Sequence, residues 1–388
     1  MLPLPEPERS VMARVLLKCV LLALFLGVTP AAHAQVFSNM EVGKKNQALA
    51  DSLKQSHWPY VLPIWGAKAT ARGFNLPLPA GVSVQYFGQR SDLVIDNLQV
   101  GFNNGPPHDL DGIVRFDKAR AISDGVSLRP DIWLLPFLNL YGIFGMSKAS
   151  TDVGYSLWLP DSTGHDQQVV SLASKVDFTA TTFGFGVTPT IGVGGGWMAF
   201  DMNFTWTDVP QLAQPAVAFV FDPRVGKAFR FNSNPDQNLN VWVGGFRVKL
   251  NTGTSGSVAL GDVLPIGTWQ GSVDQGMQKV AQLDQEVEAW WNGLSQAQQE
   301  NPVNRAKYEA AKSALARAAG VLDAADAAVA NASSSTVQYS LDKRPADMWN
   351  FIVGGQFQMS KKLMVRAEAG FLSSRTQFLG GLQYRFGF

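Results

Sequence analysis

Cysteine is almost absent from this chain: of 388 residues only Cys19 carries a thiol. It lies in an apolar stretch near the start, so a chain cleaved after that stretch has no disulfide to staple it. Histidine is nearly as scarce. Outside the leader there remain His57, which precedes the first strands, His108 in GPPHDLDG and His165 in DSTGHDQQ, both in loop-like sequence. None has a serine two residues on, so no serine–histidine catalytic pair is expected and no catalytic residue is assigned. Asp109 and Asp111 before Gly112 supply too few oxygen ligands for a calcium loop. Zinc spacing and a phosphate-cradling glycine motif are missing, so neither a metal nor a cofactor is expected. The formal charge of +1 excludes a nucleic-acid footprint. No long apolar run follows residue 34, and acidic or basic blocks are missing too.

What is present is glycine (37), phenylalanine (24) and tryptophan (11), an excess that suits alternating strands better than a doubly wound α/β enzyme. The first residues read as an export signal. Arg9 and Arg14 precede the apolar VLLKCVLLALFLGV, and Ala32-His33-Ala34 fits small-x-small cleavage, placing residues 1–34 in a leader. Lys18 before Cys19 argues against a lipid anchor there.

Residues 35–79 form a separate segment, periplasmic or luminal, helical at first and then proline-punctuated. From Gly81 the pattern turns to period 2. Met198, Phe200, Met202, Phe204 and Trp206 alternate with Asp201, Asn203 and Thr205; Leu363, Val365, Ala367, Ala369 and Phe371 alternate with Arg366, Glu368 and Gly370. Such strands run about 9–13 residues, enough to cross a bilayer at a tilt and longer than soluble strands usually are. The pattern predicts an all-β fold, a transmembrane antiparallel up-and-down barrel over 80–388. About twelve strands are expected, within a range of ten to fourteen, at 82–90, 93–103, 112–119, 125–134, 137–147, 177–188, 195–207, 215–222, 239–251, 347–359, 362–372 and 376–388. An even number puts both ends of the barrel on one side, with short turns at Leu135-Pro136 and Ser360-Lys361. The connections 148–176 and 252–346 then lie on the opposite, outer side.

The chain closes on GGLQYRFGF, where Leu382, Tyr384, Phe386 and Phe388 share one face. With the leader, this strand resembles the C-terminal signature of the Gram-negative outer-membrane β-barrel superfamily. The resemblance covers the barrel and not the N-terminal segment or the helical insertion. It implies an outer-membrane location, contact with lipid and lipopolysaccharide, and recognition of that last strand by the barrel-assembly machinery.

A helical hairpin interrupts the barrel within 264–345. Met277, Val280, Leu283, Val287, Trp290 and Leu294 recur at three and four, as do Tyr308, Ala311, Leu315, Ala318, Leu322, Ala325 and Val329. Ser295 with Gln298 suits a capping box, and Asn301-Pro302 a cap followed by proline at the first helical position. Adjacent Trp290 and Trp291 cannot both sit at the hairpin seam. Either one reaches the barrel rim or a partner, or both pack locally.

The expected lumen-lining residues are Arg115, Asp117, Arg129, Asp131, Asp201, Arg247, Lys249, Arg366, Glu368 and Arg385, six basic and four acidic. They read either as a pore with weak anion preference or as a salt-bridge network that closes the interior. Arg366 and Glu368, two apart on one face, stand at pairing distance. The leading functional expectation is a porin-like channel or transporter for small solutes with access limited by the helical insertion. The alternative is a closed barrel displaying the hairpin to a surface partner. A carrier of apolar compounds, with 36–79 as a luminal hatch, and a membrane enzyme are weaker readings.

Overall fold

The computed structural model describes residues 47–193, 195–210, 212–231, 234–250, 253–260, 266–331, 334–372 and 374–388. The expected leader and the first part of the 35–79 segment lie outside the described residues. Ten long antiparallel strands form the wall: β1 (Ala80–Phe102), β3 (Val114–Leu135), β4 (Leu138–Pro160), β5 (Asp166–Val193), β6 (Gly196–Asp208), β7 (Ala216–Phe231), β8 (Asn234–Leu250), β11 (Trp349–Gln358), β12 (Leu363–Leu372) and β13 (Arg375–Phe386). The last pairs with the first, from Ala80 opposite Phe386 to Ser91 opposite Arg375, and so closes the barrel.

The sense of the alternation shows what surrounds it. Val84, Tyr86, Leu128, Phe144, Phe185, Val243 and Leu382 are exposed, whereas their neighbours Ser83, Gln85, Ser127, Asp131, Asp201 and Arg385 are buried. A water-soluble sheet does the reverse. Apolar outside and polar inside, with every strand edge paired, is the arrangement that hydrocarbon demands. Aromatic pairs ring the outside, among them Phe185 with Phe204 and Phe351 with Phe371. Among the described residues no helix is long and apolar enough to cross a membrane. The strands do the crossing.

The wall has ten strands, at the lower end of the expected ten to fourteen. The strands expected at 82–90 and 93–103 are one strand, β1, and those at 112–119 and 125–134 are likewise one, β3. Asp96 and Lys118, charged residues within the expected strands 93–103 and 112–119, stand where these strands overrun the apolar belt, Asp96 with Arg344 at 3.8 Å. Charges there pair across strands: Arg120 Nε donates to Asp92 Oδ1 at 2.7 Å, and Lys118 pairs with Asp152. The span 148–176 is strand, not loop, since β4 and β5 rise together to a turn at 161–165. Likewise 223–238 is no long connection; β7 runs to Phe231 and β8 begins at Asn234. All turns at the end where β1 begins and β13 stops are therefore short.

At the other end stands a second structure. β1 leaves the barrel above Asp92 and pairs with β10 (Thr336–Pro345), which pairs with β9 (Gly253–Ala259); the short β2 (His108–Asp109) adds to β1. Within the expected insertion 264–345, then, the last ten residues are strand. Its helices, following α1 (Gln47–Gln55) and α2 (Gly66–Thr70) of the N-terminal segment, are α3 (Ile266–Gly293), α4 (Gln296–Gln299) and α5 (Pro302–Val329). The Ser295–Gln298 capping box forms, and the Asn301 side chain accepts from Val303 N at 2.9 Å. Val273, Val280, Leu283 and Val287 of α3 meet Ala311, Leu315, Ala318 and Leu322 of α5, and this seam shares one buried core with Leu157, Leu159 and Val170 of the tall β4–β5 hairpin. Leu157 is on the same side of β4 as luminal Tyr141, so the helices pack on the lumen side of the overrun and stand over the long-loop mouth.

Candidate functional site

The middle of the lumen is crossed by a buried charge network centred on Arg224. Its Nε donates to Glu368 Oε2 at 3.1 Å, its Nη1 to Asp201 Oδ2 at 3.3 Å, and its Nη2 to Asp222. Glu368 Oε2 also accepts from Trp242 Nε1 at 2.8 Å and from Arg366 Nη2 at 3.1 Å. Asp201 accepts from Thr188 Oγ1 at 2.9 Å and from the Tyr141 hydroxyl, which also bonds Asn203. Three carboxylates thus share two guanidiniums in the belt, and Arg129 lies against the Tyr141 ring, 5.7 Å from its centroid. Charges at this burial persist only when paired and hydrogen-bonded.

Glycines let the large rings lie flat on the wall. A methyl group at Gly226 would come within 2.4 Å of the Trp197 indole, and one at Gly354 within 2.5 Å of Trp242. The two indoles lie 6.1 Å apart, tilted at 53° to one another.

The short-turn mouth is covered by residues 47–79. Ile64 N donates to Leu134 O at 2.9 Å, Trp133 N to Pro79 O at 2.8 Å, and Arg385 Nε to Leu78 O at 2.9 Å. The Tyr60 ring lies against Gly387, and Trp58 closes the segment on itself by donating to Leu62 O. The Asn75 amide, oriented with its oxygen toward Arg230, accepts from Nη2 at 2.7 Å and Nη1 at 3.0 Å. Between this cover and the belt is a cavity of about 730 Å³. A second ion pair sits in its wall: Arg385 Nη1 to Asp131 Oδ1 at 3.0 Å, with Asn139 and Gln383 also donating to Asp131.

Six of the expected lumen residues meet in this region: Arg129, Asp131, Asp201, Arg366, Glu368 and Arg385. Four do not. Arg115 and Asp117 lie on the overrun of β3, exposed, with Arg115 paired to Asp166 and placed over Trp158. Arg247 and Lys249 lie on the outward face of β8, Arg247 over the exposed Trp349 ring. The phase of β8 is opposite to the expected one because Trp242 faces inward, to Glu368, while Leu239, Val241 and Val243 form the lipid face. Asp222, Arg224, Tyr141 and Trp242 were missed. For the first two a signal existed, since Phe219, Phe221, Val225, Phe229 and Phe231 alternate through them.

Trp290 and Trp291 both pack locally. Trp291 stacks on Tyr308 at 4.4 Å, and Trp290 lies beneath the Lys307 ammonium at 4.9 Å, where Lys307 also covers Gly164 of the β4–β5 turn. Leu382, Tyr384 and Phe386 face outward on β13, and Phe388 is exposed. Among the described residues no cluster of three potential metal ligands occurs. His108 contacts Gly320 of α5, and the His165 ring nitrogen pairs with Thr163 in the β4–β5 turn.

No family model matches the chain, and no curated protein is similar to it. Among solved structures it is similar to the translocator domain of the autotransporter NalP from Neisseria meningitidis, with 10% identity over 89% of this chain and 94% of that one and a TM-score of 0.29. The beta domain of the Bordetella autotransporter Brka gives 8% identity, 79% and 100% coverage, and a TM-score of 0.28. A Pseudomonas aeruginosa FadL homologue gives 9% identity, 92% and 100% coverage, and a TM-score of 0.24. Scores this low carry no argument about function. By its own closed pairing and apolar belt, the chain is a transmembrane β-barrel of ten strands, covered by residues 47–79 at the short-turn mouth, flanked by the helical hairpin at the other, and bridged by charge in between.

Proposed function

We propose that this protein is a gated transporter for small polar solutes in the outer membrane of a Gram-negative bacterium. The short-turn mouth faces the periplasm and the helical hairpin faces outside, in keeping with the short-turn, long-loop asymmetry of such barrels. The observation that carries the reading is the cavity below the charge belt. A barrel serving only as an anchor gains from filling its interior, yet here about 730 Å³ is kept between a polar belt and a separable N-terminal cover. A second reading, a closed barrel that displays the hairpin, draws on the buried core that the hairpin shares with β4 and β5 above the membrane.

Cysteines introduced as Asn75→Cys and Arg230→Cys, bridged by a reductant-cleavable bismaleimide, lock the cover to the wall. Uptake of small solutes into proteoliposomes should occur with the unbridged protein, stop on bridging and return on reduction. Equal absence of uptake in all three states would favour the display reading.

A further inference from the structure

The cavity wall contains hydrogen-bonding atoms that its own network leaves unmatched. Arg129 Nε, Trp133 Nε1, Arg366 Nε and Arg385 Nη2 are buried donors with no partner in the protein, and Gln85 Oε1 is a buried acceptor without one. All five residues line the same cavity. Buried polar atoms are normally matched, and these five of the ten unmatched ones among the described residues belong to residues around one space. Four of the five are donors, and three belong to guanidiniums, which recognise planar carboxylates.

The register brings two of these guanidiniums onto one wall. Arg129 pairs with Ser83 on β1, and Arg366 with Gly381 on β13, which in turn pairs with Gln85. Gly381 has no side chain to fill the space between them. Six basic residues and three carboxylates line the cavity. Its lining also includes aromatic residues, among them Trp133, Tyr141, Trp197 and Trp242. Arg366 lies 4.9 Å from the centre of the Trp242 ring, so cation and apolar surface are presented together.

We propose that the cavity is a binding site for a small organic anion, a carboxylate carried on a planar or aromatic body. The carboxylate is held by Arg129 and Arg366 with the Trp133 indole N–H, and the ring lies against Trp197 and Trp242. This deepens the transporter reading, since it names the solute class, but it is tested by binding and not by flux.

Benzoate, benzyl alcohol and benzylamine are titrated calorimetrically into the folded protein in zwitterionic detergent. Benzoate should bind saturably, and the neutral and cationic analogues about tenfold more weakly or worse, the effect of losing one charge-assisted contact set. Arg129→Gln should weaken benzoate about tenfold. Trp133→Phe, which removes one donor without touching any ion pair, should weaken it several-fold, with each variant first shown to keep the heat-modifiable gel mobility of a folded barrel. Absence of saturable benzoate binding overturns the proposal, as does benzyl alcohol binding equally well, or folded Arg129→Gln and Trp133→Phe binding benzoate as the parent does. Binding without uptake in proteoliposomes leaves the site standing and removes the transporter reading; uptake without binding does the opposite.

Discussion

Glu368 holds three donors on one oxygen, and that arrangement sets what a substitution there costs. Glu368→Ala leaves Arg224, Arg366 and Trp242 without their shared acceptor in a site closed to bulk water. Removing one member of a buried ion pair typically costs about 3–5 kcal/mol, and Glu368→Gln, which keeps an acceptor oxygen, should cost less. Equilibrium unfolding in guanidinium, followed by tryptophan fluorescence, should show this order; a Glu368→Ala variant as stable as the parent would mean that the belt contributes no net stability. Arg247 makes the contrasting case. It lies outside the barrel wall over Trp349, so neutralising Arg247 and Lys249 should leave benzoate binding and any ion preference unchanged, whereas Arg129→Gln should not. The difference between these arginines was not legible from alternation alone. In β8 the apolar lipid face ends at Val243 and basic residues continue the same face, while Trp242 carries its indole inward to a carboxylate. An amphipathic ring fits either side of a strand, and only its partner, far away in sequence, decides. Asp222 and Arg224 were hidden differently, by the Asp-Pro pair between them, which reads as a turn. Pro223 is tolerated in β7 even though it brings no backbone N–H to the ladder.

At the scale of elements, the helical hairpin was readable because its seam repeats at three and four and its caps are local. What it packs against was not, since Leu157, Leu159 and Val170 sit on strands whose length looks like loop when judged by membrane thickness. The hairpin's core lies above the belt, so its stability is separable from that of the barrel. Leu283→Ala creates a cavity in that core and should cost about 2–5 kcal/mol locally. Amide exchange across 266–329 should rise while exchange in β11 to β13 stays slow; a uniform rise would show that hairpin and wall unfold together. Charge adds a pH dependence. Lys312 donates to Asp284 at 2.6 Å and lies 3.0 Å from Glu288. The lysine and the Tyr308 hydroxyl hold the Glu288 carboxyl below its ordinary range, and the two carboxylates hold the Lys312 ammonium above its own. A lowered carboxyl stabilises the fold above its unfolded value and loses that contribution as the pH falls through the folded one. A raised ammonium stabilises it below its unfolded value and loses that as the pH rises through the folded one. Hairpin protection should therefore be flat around neutrality and fall in acid below the ordinary carboxylate range, with a further fall only in strong alkali. Lys312→Met should shrink the acid-side fall, leaving the part that the Tyr308 hydroxyl supplies to Glu288.

For the whole molecule three structures succeed one another along the lumen: the 47–79 cover, the charge belt, and the hairpin packed on the overruns of β1, β4 and β5. A path conducts no better than its narrowest section, so opening one cover leaves the other in place. Replacing 264–335 by a short glycine-serine loop should then give no steady single-channel current, because residues 47–79 still hold Leu134, Trp133 and Arg385 at the opposite mouth. Deleting 47–76 alone should likewise give none, the hairpin remaining packed on the β4–β5 overrun. Removing both exposes the belt, and a small current should appear whose ion preference shifts when Arg129 or Arg366 is neutralised. Steady current from the hairpin-less protein alone would mean that the N-terminal segment is no seal, and the cavity beneath the belt would then be an open vestibule. If the doubly opened barrel stays silent, Arg224 and its three carboxylates are themselves the closure, and a solute could pass only by replacing an ion pair. An anion accepted by Arg129 and Arg366 is the species able to do so, because it offers Arg366 a carboxylate in exchange for Glu368.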